Sequence, residues 1–168
     1  MGSLVAQYFA VKQTDKVKSL TVLGGYDINE VNKEVEKAQR NSNLGLMAKA
    51  LISMGSFRAS VSNISASLPV GQCNFYFSSQ KYTRKSFMVM TGFQNIMKNR
   101  DMEGYGFPVL IAVGEMDIPL SKKLAIELYH HLEGSLLEEF KGSGHCANMD
   151  TAKEFNKRLL EFLTQKQR

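Results

Sequence analysis

Only two cysteines, Cys73 and Cys146, occur in 168 residues. Neither belongs to a Cys-x-x-Cys pair, and nothing suggests a disulfide framework. A reducing cytoplasm is the expected compartment for such a chain. No apolar run approaches the roughly 20 residues that a membrane span needs. The N-terminus lacks a basic region followed by an apolar block, so no secretory signal is expected. Met1-Gly2 invites a check for myristoylation, but Ala6 stands where that pattern wants Ser or Thr. Repeats and low-complexity tracts are missing too. Basic residues never run together with aromatics: the net charge of +5 comes from an excess spread along the middle, with ten Lys/Arg against six Asp/Glu in residues 26–106. A nucleic-acid partner is therefore not expected, and the charge reads as a solvated face.

What remains is enough for one domain with a core, 43% hydrophobic and 22% charged, as soluble globular proteins are. Phe107 to Asp117, F-P-V-L-I-A-V-G-E-M-D, is a continuous apolar run cut off by Gly114 and acid. A strand buried on both faces reads this way. Asp117 is then delivered just past its carboxyl end, the edge at which open α/β sheets bind ligands. Lys18–Gly25 reads as a shorter buried strand and Leu136–Lys141 as a third. Helices are expected at Gly2–Val17, with Leu4, Val5, Tyr8 and Phe9 as the apolar stripe, and at Leu120–Leu132, with Leu124, Leu128 and Leu132 in register. Another is expected from Thr151, whose spacing to Glu154 is that of a capping box. The first helix has no capping residue ahead of it. His130 and His131 read as solvated residues at a helix end.

The middle differs. Asn29–Arg40, Asn43–Met54 and Tyr82–Arg100 read as helices, and Ser56–Ser79, rich in Ser and Asn, as a loop or a broken helix. Asp27–Glu103 holds six of the nine methionines and five of the ten phenylalanines. These side chains either bury the inserted helices or line a pocket, since methionine suits adaptable apolar surfaces.

Asp117 follows one strand and His145 the next. Strand-helix-strand crossovers make such strands parallel, so both residues come to one edge. An Asp beside a His can fix its tautomer, and the His can then act as a base toward a hydroxyl. Asp-then-His matches the chain order Ser, Asp, His.

On these residues the sequence resembles the α/β-hydrolase fold family. G-E-M-D-I-P-L-S at Gly114–Ser121 looks like the family's acid loop. G-S-G-H-C-A-N-M-D at Gly142–Asp150 looks like its histidine loop, and M-G-S-L-V-A-Q-Y-F-A at Met1–Ala10 like the residues just after its nucleophile elbow. The resemblance implies an α/β fold: a partial core of parallel strands and flanking helices from residues 1–25 and 107–168, with a helical cap at 26–106. It implies a serine hydrolase acting on an ester or similar acyl substrate in an apolar pocket, with Asp117 and His145 catalytic and no metal or organic cofactor. In the elbow pattern Gly-x-Ser-x-Gly, Met1 takes the second x and Gly2 the last glycine. The nucleophile, the first five strands and one oxyanion donor would then precede Met1, and the 168 residues alone are expected to be inactive. Ser3 lacks the strained turn of an elbow and is not expected to replace the nucleophile. Cys146, adjacent to His145, is expected to be a half-buried structural residue. The alternative is a non-catalytic remnant that binds other proteins. Lys18–Gly25 would then be an open sheet edge, available to a second copy or to the N-terminal half of the fold.

Overall fold

The computed structural model describes residues 2–29, 37, 45–86 and 106–165. Three parallel strands, β1 (Leu20–Leu23), β2 (Val109–Gly114) and β3 (Leu136–Phe140), lie in the order β1-β2-β3. Val22 stands opposite Ile111, and Ile111 opposite Leu137. Every residue of β2 is buried, as its unbroken apolar run requires. Its side chains alternate between two cores. Val109, Ile111 and Val113 join Leu20, Val22, Ala10, Ala125 and Leu128 on one face. Ala112 joins Phe140, Ala147 and Phe155 on the other.

Helix α1 (Gly2–Lys12) supplies Ala10 to the first core and ends in a 3-10 turn at Thr14–Lys16. Its buried side differs from the expected stripe. Leu4, Gln7 and Ala10 are buried, whereas Val5 and Phe9 are 45% and 52% exposed. A polar Gln7 can be buried because its amide is used twice: Nε2 donates to the Tyr26 carbonyl, and Oε1 accepts from the Ile28 N–H.

The Ser56–Ser79 stretch is the broken helix of the two readings. A helical stretch at 45–52 is followed by α2 (Met54–Ser65) and α3 (Pro69–Ser79), interrupted at 66–68. Ser53 caps α2 by accepting from the Ser56 N–H. Pro69 sits in the first turn of α3, where its missing N–H costs nothing. The helices expected at Asn29–Arg40 and Tyr82–Arg100 lie, apart from 29, 37 and 82–86, outside the described residues.

Helix α4 (Pro119–His131) joins β2 to β3 and buries Leu124, Ala125 and Leu128. A short α5 (Ala147–Asp150) leads into α6 (Ala152–Gln165). The expected capping box does not form. The Thr151 hydroxyl donates instead to the Ala147 carbonyl. Among the described residues no helix is long and apolar enough to cross a membrane.

Candidate active site

Parallel pairing of β2 and β3 brings two loops to one edge of the sheet, and backbone bonds lace them together. Glu115 N–H donates to the Phe140 carbonyl at 2.9 Å, and Met116 N–H to the Ser143 carbonyl at 2.9 Å. In return Gly142 N–H donates to Glu115 Oε2 at 2.8 Å. The first loop carries Asp117 and the second His145, so their separation is set by main chain.

Asp117 Oδ2 lies 3.0 Å from His145 Nδ1. The same oxygen accepts from the Ser121 hydroxyl at 2.7 Å, and Oδ1 from the Ile118 N–H at 2.8 Å. Three acceptor positions of the carboxylate are thus used, and its side chain is 2% exposed. Burial pushes the Asp117 carboxyl up. The His145 bond and its charge, the Ser121 hydroxyl and the Ile118 N–H pull it down and prevail, leaving it below its ordinary value. Asp117 therefore stays ionised and can hold a proton on His145 Nδ1.

His145 is half-exposed, and among the described residues its Nε2 has no hydrogen-bond partner. Its ring lies against the end of β1. Gly24 has φ +55°, and a Cβ there would stand 2.6 Å from His145 Cε1. Glycine at this place serves both the left-handed backbone and the seat of the imidazole.

The other residues singled out in the sequence fall elsewhere. Ser3 lies on α1 beside Gly25 and is not hydrogen-bonded to His145. Cys146 is half-buried, and its thiol is pushed up to about 11, first by burial, then by the carboxylates of Asp150 and Asp117. A thiol held so high is a poor nucleophile. Iodoacetamide at pH 8 is expected to modify Cys146 roughly a hundredfold more slowly than a free thiol. Peptide mapping over time reads this directly, and a rate near that of a free thiol would reopen Cys146 as a nucleophile.

His131 is exposed as expected, yet its Nδ1 lies 3.3 Å from Asp27 Oδ2. That acid is 104 positions away, so no local pattern signals the contact. Asp150 closes the loop Gly142–Asp150, and its sequence context assigns it no role. It is buried and bonded to three amides. Among the described residues no group of three His, Cys, Asp or Glu side chains could hold a metal ion.

No protein-family model matches the chain, and no curated protein matches it either. Solved structures do. An esterase (EaEST) from Exiguobacterium antarcticum is similar over 97% of this chain and 63% of its own, with a TM-score of 0.72 and 17% identity. The enol-lactonase from Burkholderia xenovorans is similar over 98% and 63%, with a TM-score of 0.70 and 18% identity. A thermophilic esterase from Thermogutta terrifontis is similar over 98% and 62%, with a TM-score of 0.73 and 14% identity. The chain has the α/β-hydrolase fold. It corresponds to the C-terminal part of that fold and spans under two thirds of the length of each of these three structures. In the α/β-hydrolase fold so defined, Asp117 and His145 occupy successive loops at the carboxyl ends of adjacent strands.

Proposed function

We propose that this chain carries the acid and the base of a serine-hydrolase triad that acts on an ester or similar acyl substrate. The observation behind this is the Asp117–His145 bond, made by a buried carboxylate to an imidazole whose other nitrogen is unpartnered among the described residues. His145 Nε2 takes the proton of a serine hydroxyl as that oxygen attacks the acyl carbon. The same proton passes to the leaving group, and water, activated again by His145, releases the acid. Asp117 keeps the imidazole in the Nδ1–H tautomer throughout. The serine of such a triad belongs to the part of the fold that these residues do not span, and the 168 residues alone are expected not to turn over. In this reading the helices at 45–52, α2 and α3 belong to a helical cap on the core. Its exposed apolar residues, among them Ile52 at 85% and Phe77 at 62%, suit an apolar substrate.

A fluorophosphonate probe tests this. Labelling is expected for a form of the protein extended upstream of Met1, with loss on His145→Ala, and not for the 168-residue chain. Labelling of the short chain would mean that a serine inside it is activated and the elbow alignment is wrong. Labelling of neither would favour a binding protein.

One observation supports that second reading. Leu20 N–H donates to the Pro108 carbonyl and Gly24 N–H to the Ala112 carbonyl, so Thr21 and Leu23 turn their amides and carbonyls away from β2. No described strand pairs with that side, and Val5 and Phe9 on α1 are exposed. β3, the opposite edge, carries Glu138 and Glu139, the charged type of residue that blunts an edge; β1 carries none. We propose that β1 pairs with the N-terminal half of the fold or with a second copy. Sedimentation of the 168-residue chain should show a folded, self-associated species, and a monodisperse monomer would count against it.

A further inference from the structure

We infer that Asp150 is a positioning residue, through which the break between α2 and α3 fixes the place of His145. The inference rests on reading His145 as the base, and Asp150 touches no reacting atom. Asp150 is 6% exposed. Oδ2 accepts from the Ser67 N–H and from the Gly144 N–H, both at 2.8 Å, and Oδ1 from the Leu68 N–H at 2.9 Å. Ser67 and Leu68 are the break itself, and Gly144 is the residue before His145. The residue after it is tied to the same place: Cys146 N–H donates to the Ser65 carbonyl at 2.6 Å. His145 is thus gripped on both sides by the end of α2 and the start of α3.

An ionised acceptor binds amide donors more strongly than a neutral one. It also has the lone pairs for three of them at once. No room is left for slack. A Cβ on Gly144 would stand 2.7 Å from Ser67 Oγ and 3.0 Å from Ser67 N. A shift of the break therefore carries Gly144 and Cys146 with it. The His145 ring must stay within hydrogen-bond reach of Asp117, which is fixed on a different loop. The helical segment and the imidazole accordingly move as one body, and Asp150 is the joint.

Asp150→Asn tests this without relying on activity. Asparagine keeps the shape but offers one oxygen and turns an NH2 toward an amide donor. The readout is the nitrogen chemical shifts of the His145 ring in the 168-residue chain at about pH 9, where imidazole is neutral. In the wild type the proton is expected on Nδ1. In a folded Asp150→Asn, judged by native methyl shifts of Ile111 and Val113, the Nδ1–H form should be lost to a mixture of tautomers. A folded variant that keeps the single Nδ1–H form would overturn the inference. If the variant does not fold, amide exchange in the wild type decides. Ser67, Leu68 and Gly144, corrected for intrinsic rates, should exchange within about threefold of each other, as amides released by one opening do. Ser67 and Leu68 exchanging tens of times faster than Gly144 would overturn it. A wild-type ring protonated on Nε2 instead would sink the base assignment, and the exchange comparison would still decide the role of Asp150.

Discussion

Asp117→Asn in an upstream-extended, active form is expected to lower kcat by about 10⁴-fold with little change in KM. Asparagine can still accept from the Ile118 N–H with its one oxygen. Its NH2 then occupies the place of Oδ2 and faces both the Ser121 hydroxyl and His145 Nδ1. The hydroxyl can rotate to accept. The imidazole can accept only by giving up its Nδ1 proton, which puts the remaining proton on Nε2, and a protonated Nε2 cannot take one from serine. A nitrophenyl ester assay reads the loss, and a drop of less than tenfold would remove Asp117 from the mechanism. Stability carries a second signature of the same pair. The folded Asp117 carboxyl lies below its ordinary value of 3.8. Its stabilisation is therefore present above that pH and is lost as the pH falls below it toward the folded value. Urea midpoints of wild type and Asp117→Asn should differ at pH 6 and converge as the pH falls below 3.8.

Ile111→Ala should cost about 2–5 kcal/mol, with a fall in melting temperature of roughly 10 °C. Ile111 is 0% exposed, at the centre of the middle strand, with Val22 and Leu137 opposite on the two neighbours. Both neighbours are fixed by ladder hydrogen bonds, so the core cannot close over the missing methyls. Leu160→Ala, at a position 63% exposed on α6, should stay within about 0.5 kcal/mol of wild type. A loss below 1 kcal/mol at Ile111 would mean that the sheet is looser than its register indicates.

Legibility along the chain followed the source of each signal. β2 was plain in the sequence because burial on both faces leaves no polar position in it. Asp117 and His145 were found because each directly follows a readable strand. The pair Met54–Ser65 and Pro69–Ser79 was harder, and the reason lies in what these helices bury. Phe57, Ser62, Ser65, Gly71 and Ser79 are their buried positions, so an apolar stripe is nearly absent and the period of a helix carries little hydrophobic contrast. In α1 the contrast misled, because a bonded glutamine took the place expected for Val5 and Phe9. Two of the three amides on Asp150, and the Asp27–His131 contact, come from partners 82 to 104 positions away. No local pattern reports such distances.

The register of the sheet also favours an order of assembly. Leu110 and Leu136 are 26 residues apart, whereas Leu20 and Val109 are 89 apart. Closing the longer loop costs about 1 kcal/mol more in chain entropy. The unit β2–α4–β3 can thus form early, with Asp117 and His145 already facing each other. β1 and α1 dock afterwards and bring Gly24 against the imidazole. Contacts made last are the first to open, so brief undocking of α1 and β1 would release the His145 ring on one side while its bond to Asp117 persists.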